Sequence, residues 1–302
     1  MPATNKLSGV YVAAVTPLTP GSTPAVEYIP QLMRFYAERG AHGALILGTT
    51  GEGPSFSLDE RGAIYEAAAR IKADHPDFSL LAGTGVPSLE DTIKLNRLVF
   101  ELGYDGAVVL PPYYFRTASD DGLYAWFSRV IESSVPDGAK LLGYHIPQVS
   151  GVGLSDNLLT QLASSYPEQF GGIKDSSGDL ARGQETARAF PYHSLLTGND
   201  RLMSAMLSAG GAGCITATAN LISPQLRELY EKHSLGVDTS ALQDKVDAAR
   251  GVLESLSPYP AAIKGLLAEM HGFPLWPVKP PLVPFPQEKI KAAAEQLRSI
   301  LE

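Results

Sequence analysis

Between Lys140 and Thr197 the chain reads KLLGYHIPQVSGVGLSDNLLTQLASSYPEQFGGIKDSSGDLARGQETARAFPYHSLLT. Three short apolar runs, at 140–144, 171–174 and 194–197, alternate here with two longer amphipathic stretches, at 156–164 and 180–190. The short runs lack the apolar–polar alternation of a strand with one wet face. Strands covered on both faces read this way, and that favours a parallel sheet whose crossovers are helices.

The same unit repeats on both sides of this stretch. Further short runs lie at 10–15, 43–47, 80–83, 107–110 and 213–216, with helical patterns at 27–39, 58–72, 89–102, 121–133, 201–209 and 224–232. Ser57-Leu58-Asp59-Glu60 is a capping-box pattern, Ser88 precedes two acids in a first turn, and Gly40 and Gly103 stand where a left-handed residue can end a helix. An open doubly wound sheet would more often carry a Gly-rich phosphate turn after its first strand, whereas here Thr16-Pro17-Leu18-Thr19-Pro20 follows. Eight strand–helix units predict an α/β fold, the closed (β/α)8 TIM barrel, over residues 1–235. Residues 236–302 read as helices only (241–256, 259–270 and 287–301), with a Pro-rich segment at 273–286; they predict a C-terminal helical extension packed on the barrel.

Composition narrows the function. With 24 Lys and Arg against 32 Asp and Glu, the formal charge is −8, and no basic block exists to neutralise phosphates, so no nucleic-acid partner is expected. The one cysteine, Cys214, excludes an internal disulfide framework. The first six residues carry no signal-peptide pattern, and no run of about 18 apolar residues could span a membrane. The expectation is a soluble cytoplasmic protein. The six histidines share no ligand spacing, and neither a metal nor a cofactor is expected.

In a barrel of this kind the chemistry sits at the C-terminal ends of the strands. Four such ends stand out: Gly48-Thr49-Thr50-Gly51-Glu52, Pro111-Pro112-Tyr113-Tyr114, Tyr144-His145-Ile146-Pro147, and Gly171 through Gly178 with Lys174 at its centre. A lysine that ends an apolar strand is out of place. Desolvation favours the neutral amine, the form that attacks a ketone to make an imine; alternatively Lys174 snorkels to water or pairs with Asp175. The Thr49-Thr50 turn suits a carboxylate through hydroxyls and N–H groups, or is simply a tight turn that needs its glycines. Tyr144 reads as a proton relay or as a packing phenol, and Tyr113-Tyr114 as an exposed aromatic hook for a subunit contact. His145, turned by strand alternation away from the face of Tyr144, reads as a packing or hydrogen-bonding residue. Asp175 and Asp179 read as helix caps, Cys214 as an inert core thiol, Lys264 as a solvated helix lysine and Lys279 as a loop lysine.

Together these segments resemble the pyruvate-dependent class I aldolases, the family of dihydrodipicolinate synthase and N-acetylneuraminate lyase. The resemblance runs from about Gly9 to Pro281. It is carried by G-T-T-G-E (48–52), A-G-T-G (82–85), P-P-Y-Y (111–114), Y-x-I-P-x-x-x-G (144–151), I-K-D-S-S-G-D (173–179) and T-G-N-D (197–200). It implies a lyase in which Lys174 forms a Schiff base with pyruvate or a pyruvoyl end. Thr49 and Thr50 hold the carboxylate, and Tyr144 is the general acid/base. Tyr114, lent by a neighbouring subunit of a dimer or tetramer, completes a relay with Thr50 and Tyr144. Ile215 lines the pocket, and Gly198 leaves room for the second substrate. Val149 stands where dihydrodipicolinate synthase has the arginine that binds the carboxylate of its aldehyde partner, and Gly53, Leu58, Arg61 and Pro87 stand where those enzymes build a lysine-feedback pocket. The expected reaction therefore joins or splits pyruvate and another aldehyde, as in a 2-keto-3-deoxy sugar acid. Dihydrodipicolinate synthase, a sugar-acid dehydratase using the same imine, and a non-catalytic 2-keto acid sensor are the alternatives.

Overall fold

The structure, a computed structural model, describes residues 6–302; the N-terminal residues 1–5 that entered the leader-peptide reading lie outside the described residues. Eight parallel strands follow one another in chain order in a closed barrel: β1 (Gly9–Ala13), β2 (Gly43–Ile46), β3 (Ser79–Gly83), β4 (Gly106–Val109), β5 (Lys140–His145), β6 (Phe170–Asp175), β7 (Ser194–Thr197) and β8 (Gly213–Thr216). This is the TIM barrel that the sequence predicts. Each strand falls within two residues of its apolar run, and nearly every strand residue is buried, as strands covered on both faces require.

The helices are α1 (Ile29–Glu38), α2 (Leu58–Ala69), α3 (Leu89–Glu101), α4 (Asp120–Ser134), α5 (Pro147–Ser150), α6 (Asp156–Ser165), α7 (Leu180–Ala189), α8 (Met203–Ser208), α9 (Ala219–Ser234), α10 (Ser240–Glu254), α11 (Tyr259–His271) and α12 (Gln287–Leu301). The capping box forms as read: Ser57 accepts from the Glu60 N–H, and the Glu60 carboxylate accepts from the Ser57 N–H. Three of the differences from the sequence reading fall at prolines. The helix expected from Pro224 starts at Ala219, because a break at Ile222 (φ −121°, ψ 31°) lets a first turn end before the proline ring would clash with it. Helix α1 begins two residues late, since Pro30, lacking an N–H, belongs in a first turn. The short α5 was not foreseen; Pro147 starts it and Gly151, at φ 70°, ends it.

The chain divides into two compact units. One comprises residues 6–8 and Ser79–Cys214, with β3 to β7 and α3 to α8. Its core joins Val109, Phe127, Leu141, Leu158, Ile173 and Leu195, all at most 3% exposed. The other comprises Gly9–Phe78 and Ile215–Glu302, with β1, β2 and the C-terminal helices. Its interior is organised by the wholly buried Asn220. The side-chain amide of Asn220 donates to the carbonyls of Ala13 and Ala217, both at 2.8 Å, and its oxygen accepts from the Tyr36 hydroxyl and the Val15 N–H. Every polar atom of that side chain is used, which is what burial of an amide demands.

Candidate active site

In the unit that contains β3 to β7, strands β5 and β6 carry the candidates Tyr144 and Lys174. Their parallel register pairs Tyr144 with Lys174 and His145 with Asp175. Side chains of directly paired residues share a face of the sheet, so tyrosine and lysine lie on one side and histidine and aspartate on the other. Lys174 is 3% exposed, and its Nζ stands 4.2 Å from the centroid of the Tyr144 ring. Among the described residues this amine makes no hydrogen bond and no ion pair, so the alternative of pairing with Asp175 is not what the geometry shows.

Asp175 has other work. Its Oδ1 accepts from the Ser177 N–H at 2.9 Å and its Oδ2 lies 3.7 Å from Arg182. Asp175 therefore closes a local turn instead of capping a helix; the cap of α7 is Asp179, which accepts from the Arg182 N–H. His145, 6% exposed, accepts through Nδ1 from the Leu154 N–H at 2.9 Å. Burial, and then the Arg182 guanidinium, lower its pKa below the usual imidazole range. It is the hydrogen-bonding core histidine that strand alternation predicts.

The loops that follow place the remaining candidates of this unit. Gly198 donates its N–H to the Asp175 carbonyl at 2.6 Å, and a Cβ there would meet the Ser176 Oγ at 1.9 Å. Glycine is thus required for the turn after Lys174 to approach β7 so closely. Val149 on α5 is 61% exposed, and the side chain of Arg116 lies against Gly151 at the end of that helix. Tyr114 is 78% exposed and stacks edge-on with Phe115, itself 72% exposed, an aromatic partner the sequence reading had passed over.

The other unit carries Thr49, Thr50 and Ile215. Thr50 and Ile215 are buried and Thr49 is exposed. The turn that presents the threonines is tied by its carbonyls. Glu52 N–H donates to Thr49 and Gly53 N–H to Gly48, both at 3.1 Å, and the Thr16 hydroxyl donates to the Gly51 carbonyl at 2.7 Å. A Cβ on Gly53 would sit 2.2 Å from the Leu47 carbonyl, so the chain can double back only through a glycine. Among the described residues the N–H groups of Thr50 and Gly51 donate to no protein acceptor. Neighbouring N–H donors without a protein acceptor suit an anion.

Lys264 corrects the sequence reading. It is not solvated but 1% exposed, and its Nζ donates to Glu52 Oε1 at 2.5 Å and to the Pro277 carbonyl at 2.7 Å. Burial lowers its pKa while Glu52 raises it. Lys279, read as a plain loop lysine, donates to Glu60 Oε1 at 2.6 Å and lies over the Phe56 ring. No set of three potential metal ligands occurs among the described residues. Nor is any helix there long and apolar enough to cross a membrane.

A family model, that of the dihydrodipicolinate synthetase family, matches residues 6–300. The chain belongs to that family. An uncharacterized DapA-like lyase of Chloroflexus aurantiacus is 36% identical over 285 residues, 94% of each chain. The solved 4-hydroxy-tetrahydrodipicolinate synthase of Methylacidiphilum fumariolicum SolV is 27% identical, with a TM-score of 0.88 over 98% of this chain and 97% of that one. A sialic acid aldolase of Ruminococcus gnavus, solved as a catalytic lysine mutant, shares the fold at a TM-score of 0.91 and 21% identity, over 100% of this chain and 99% of that one. Like the members of the dihydrodipicolinate synthetase family, the protein is an enzyme, a lyase of the aldolase type.

Proposed function

We propose that this enzyme is a cytoplasmic Schiff-base lyase that cleaves or forms the bond between pyruvate and an uncharged aldehyde, with a 2-keto-3-deoxy sugar acid as the joined compound. The observation that carries the reading is the buried Lys174 amine, free of any anion and held over the ring of Tyr144. Its nitrogen adds to C2 of the keto acid. The carbinolamine then loses its hydroxyl as water, with the proton supplied through Tyr144, and leaves an imine. In cleavage Tyr144 takes the C4 hydroxyl proton, the C3–C4 bond breaks, and its electron pair passes into the enamine as the aldehyde departs. Protonation at C3 and hydrolysis of the imine release pyruvate and restore the lysine. Thr49 and Thr50, with the donor N–H groups of their turn, are assigned to the keto-acid carboxylate, Ile215 to the apolar wall, and Gly198 to the room beside the second substrate.

Val149 supports the uncharged aldehyde. Its isopropyl group offers no donor, and an aldehyde bearing a carboxylate would lose there a charge-assisted pair worth about 1.5–3 kcal/mol. Residues 236–302 are taken as the helical extension of the barrel. The exposed Tyr114–Phe115 pair is taken as a contact with a second copy, which receives Tyr114 into its relay in a dimer or tetramer.

Two measurements test the proposal. Borohydride should trap pyruvate on Lys174 in the wild type and on nothing in Lys174→Ala. A panel of 2-keto-3-deoxy acids, followed by pyruvate release through a coupled dehydrogenase, should yield turnover on at least one. Label mapped to another residue would move the nucleophile and end the case.

A further inference from the structure

The turn assigned to the carboxylate ends in Glu52, a residue with left-handed backbone (φ 57°) and a side chain wholly removed from solvent. Both carboxylate oxygens are used. Oε1 accepts from Lys264 Nζ on α11, and Oε2 accepts from the Lys279 N–H at 2.8 Å. Lys264 also donates to the Pro277 carbonyl. One carboxylate therefore ties the turn at 48–53 to helix α11 and to the Pro-rich segment at 277–279, both more than two hundred residues further along the sequence. Next to it Arg61, 3% exposed, donates to the Gly53 carbonyl at 2.6 Å and the Phe56 carbonyl at 3.2 Å, fixing the far side of the same turn.

Stability alone does not account for such an arrangement. Desolvating two charges offsets most of their attraction, and well-packed apolar residues would serve as well or better. What an ion pair adds is directionality: it fixes where one backbone segment lies against another. Here the fixed segment is the one that carries Thr49, Thr50 and the two donor N–H groups.

We propose that the Glu52–Lys264 pair is the positioning element for carboxylate recognition: it holds the Thr49-Thr50 turn in the geometry that receives a 2-keto acid, and so makes α11 part of substrate selection. This rests on the assignment of the turn made above. Neither residue touches substrate; both act through the turn.

The test compares pyruvate with methyl pyruvate, which presents the same ketone without a carboxylate, as ligands for borohydride trapping. In Lys264→Met the concentration of pyruvate needed for half-maximal trapping should rise about tenfold or more, while that for methyl pyruvate stays within about threefold, the pattern of a lost ground-state contact. Trapping at saturating pyruvate should persist. The double variant Glu52→Gln/Lys264→Met, which leaves no unpaired buried charge, should fold where the single variant fails and show the same loss of selectivity. If both ketones weaken in parallel, or neither changes, the pair is merely structural and the proposal is overturned. If the wild type traps neither ketone, the imine reading itself fails and this proposal falls with it, which is a distinguishable result.

Discussion

Lys174 and Lys264 are buried to nearly the same degree, at 3% and 1% exposure, yet one faces the ring of a tyrosine and the other a carboxylate and a carbonyl. An ammonium taken out of water must be compensated, and Lys264 is, twice over. Lys174 has only the face of Tyr144, a weaker partner that leaves the nitrogen able to act as a base or nucleophile. Burial without an anion, and not burial by itself, is what makes Lys174 the candidate nucleophile.

The sharpest way to break this comparison is to replace each lysine with methionine, which keeps an unbranched chain one atom shorter and removes the charge. Lys174→Met should lose turnover by about 10⁴-fold or more, the scale on which enzymes suffer when the nucleophile is removed. Its midpoint in thermal or urea unfolding should hold or rise, because no buried partner is left behind. Lys264→Met should do the reverse and lose about 3–5 kcal/mol of stability, since Glu52 is stranded as a buried charge. Urea titrations and coupled assays on both variants read the two axes. Equal destabilisation would mean that Lys174 has a compensating partner after all.

The same pair shows what a single sequence can and cannot tell. Strands were legible to within two residues because apolar runs bounded by glycine and proline have few other uses. Lys174 was legible as a candidate because it is incongruous in its own strand. Lys264 was not: in Ala-Ala-Ile-Lys-Gly-Leu-Leu a lysine is compatible with a wet helix face, and nothing local announces that Glu52 arrives to meet it. The one available signal was the acid that directly follows an anion-type turn, which has no business there unless something positive answers it. Helix α5 went unread because Pro147 looks like a stop, whereas at a first helical position it is a start.

A smaller effect is expected at Val149. Introducing a guanidinium by Val149→Arg should improve kcat/KM for aspartate semialdehyde by about ten- to hundredfold, the equivalent of one charge-assisted pair, while leaving pyruvate trapping unchanged. Because Val149 is 61% exposed, the longer side chain meets no packed core. A variant that gained nothing would place the aldehyde's selectivity elsewhere in the loops of that unit, with Arg116 beside Gly151 the first residue to examine.

The smallest effect concerns pH, and it again separates the two units. His42 accepts the Val10 N–H through Nδ1, a bond available only to a neutral ring; burial, and then the Arg227 charge, lower its pKa to about 4. His271 is lowered to about 4 by burial and then by Arg39. Between about pH 6.5, where a histidine in the unfolded chain titrates, and about pH 4 the unfolded state binds more protons than the folded one. Stability contributed by these rings is therefore complete above pH 6.5 and is lost as the pH falls toward 4. After allowance for partial exposure, His42 should account for about 1 kcal/mol of that loss. His42→Asn keeps an acceptor for Val10 but cannot titrate, so its melting temperature should match the wild type near pH 8 and exceed it at pH 4.5. An unchanged slope would shift the acid sensitivity to the other unit, where burial and Arg182 also hold His145 neutral behind the strand pair that carries Tyr144 and Lys174.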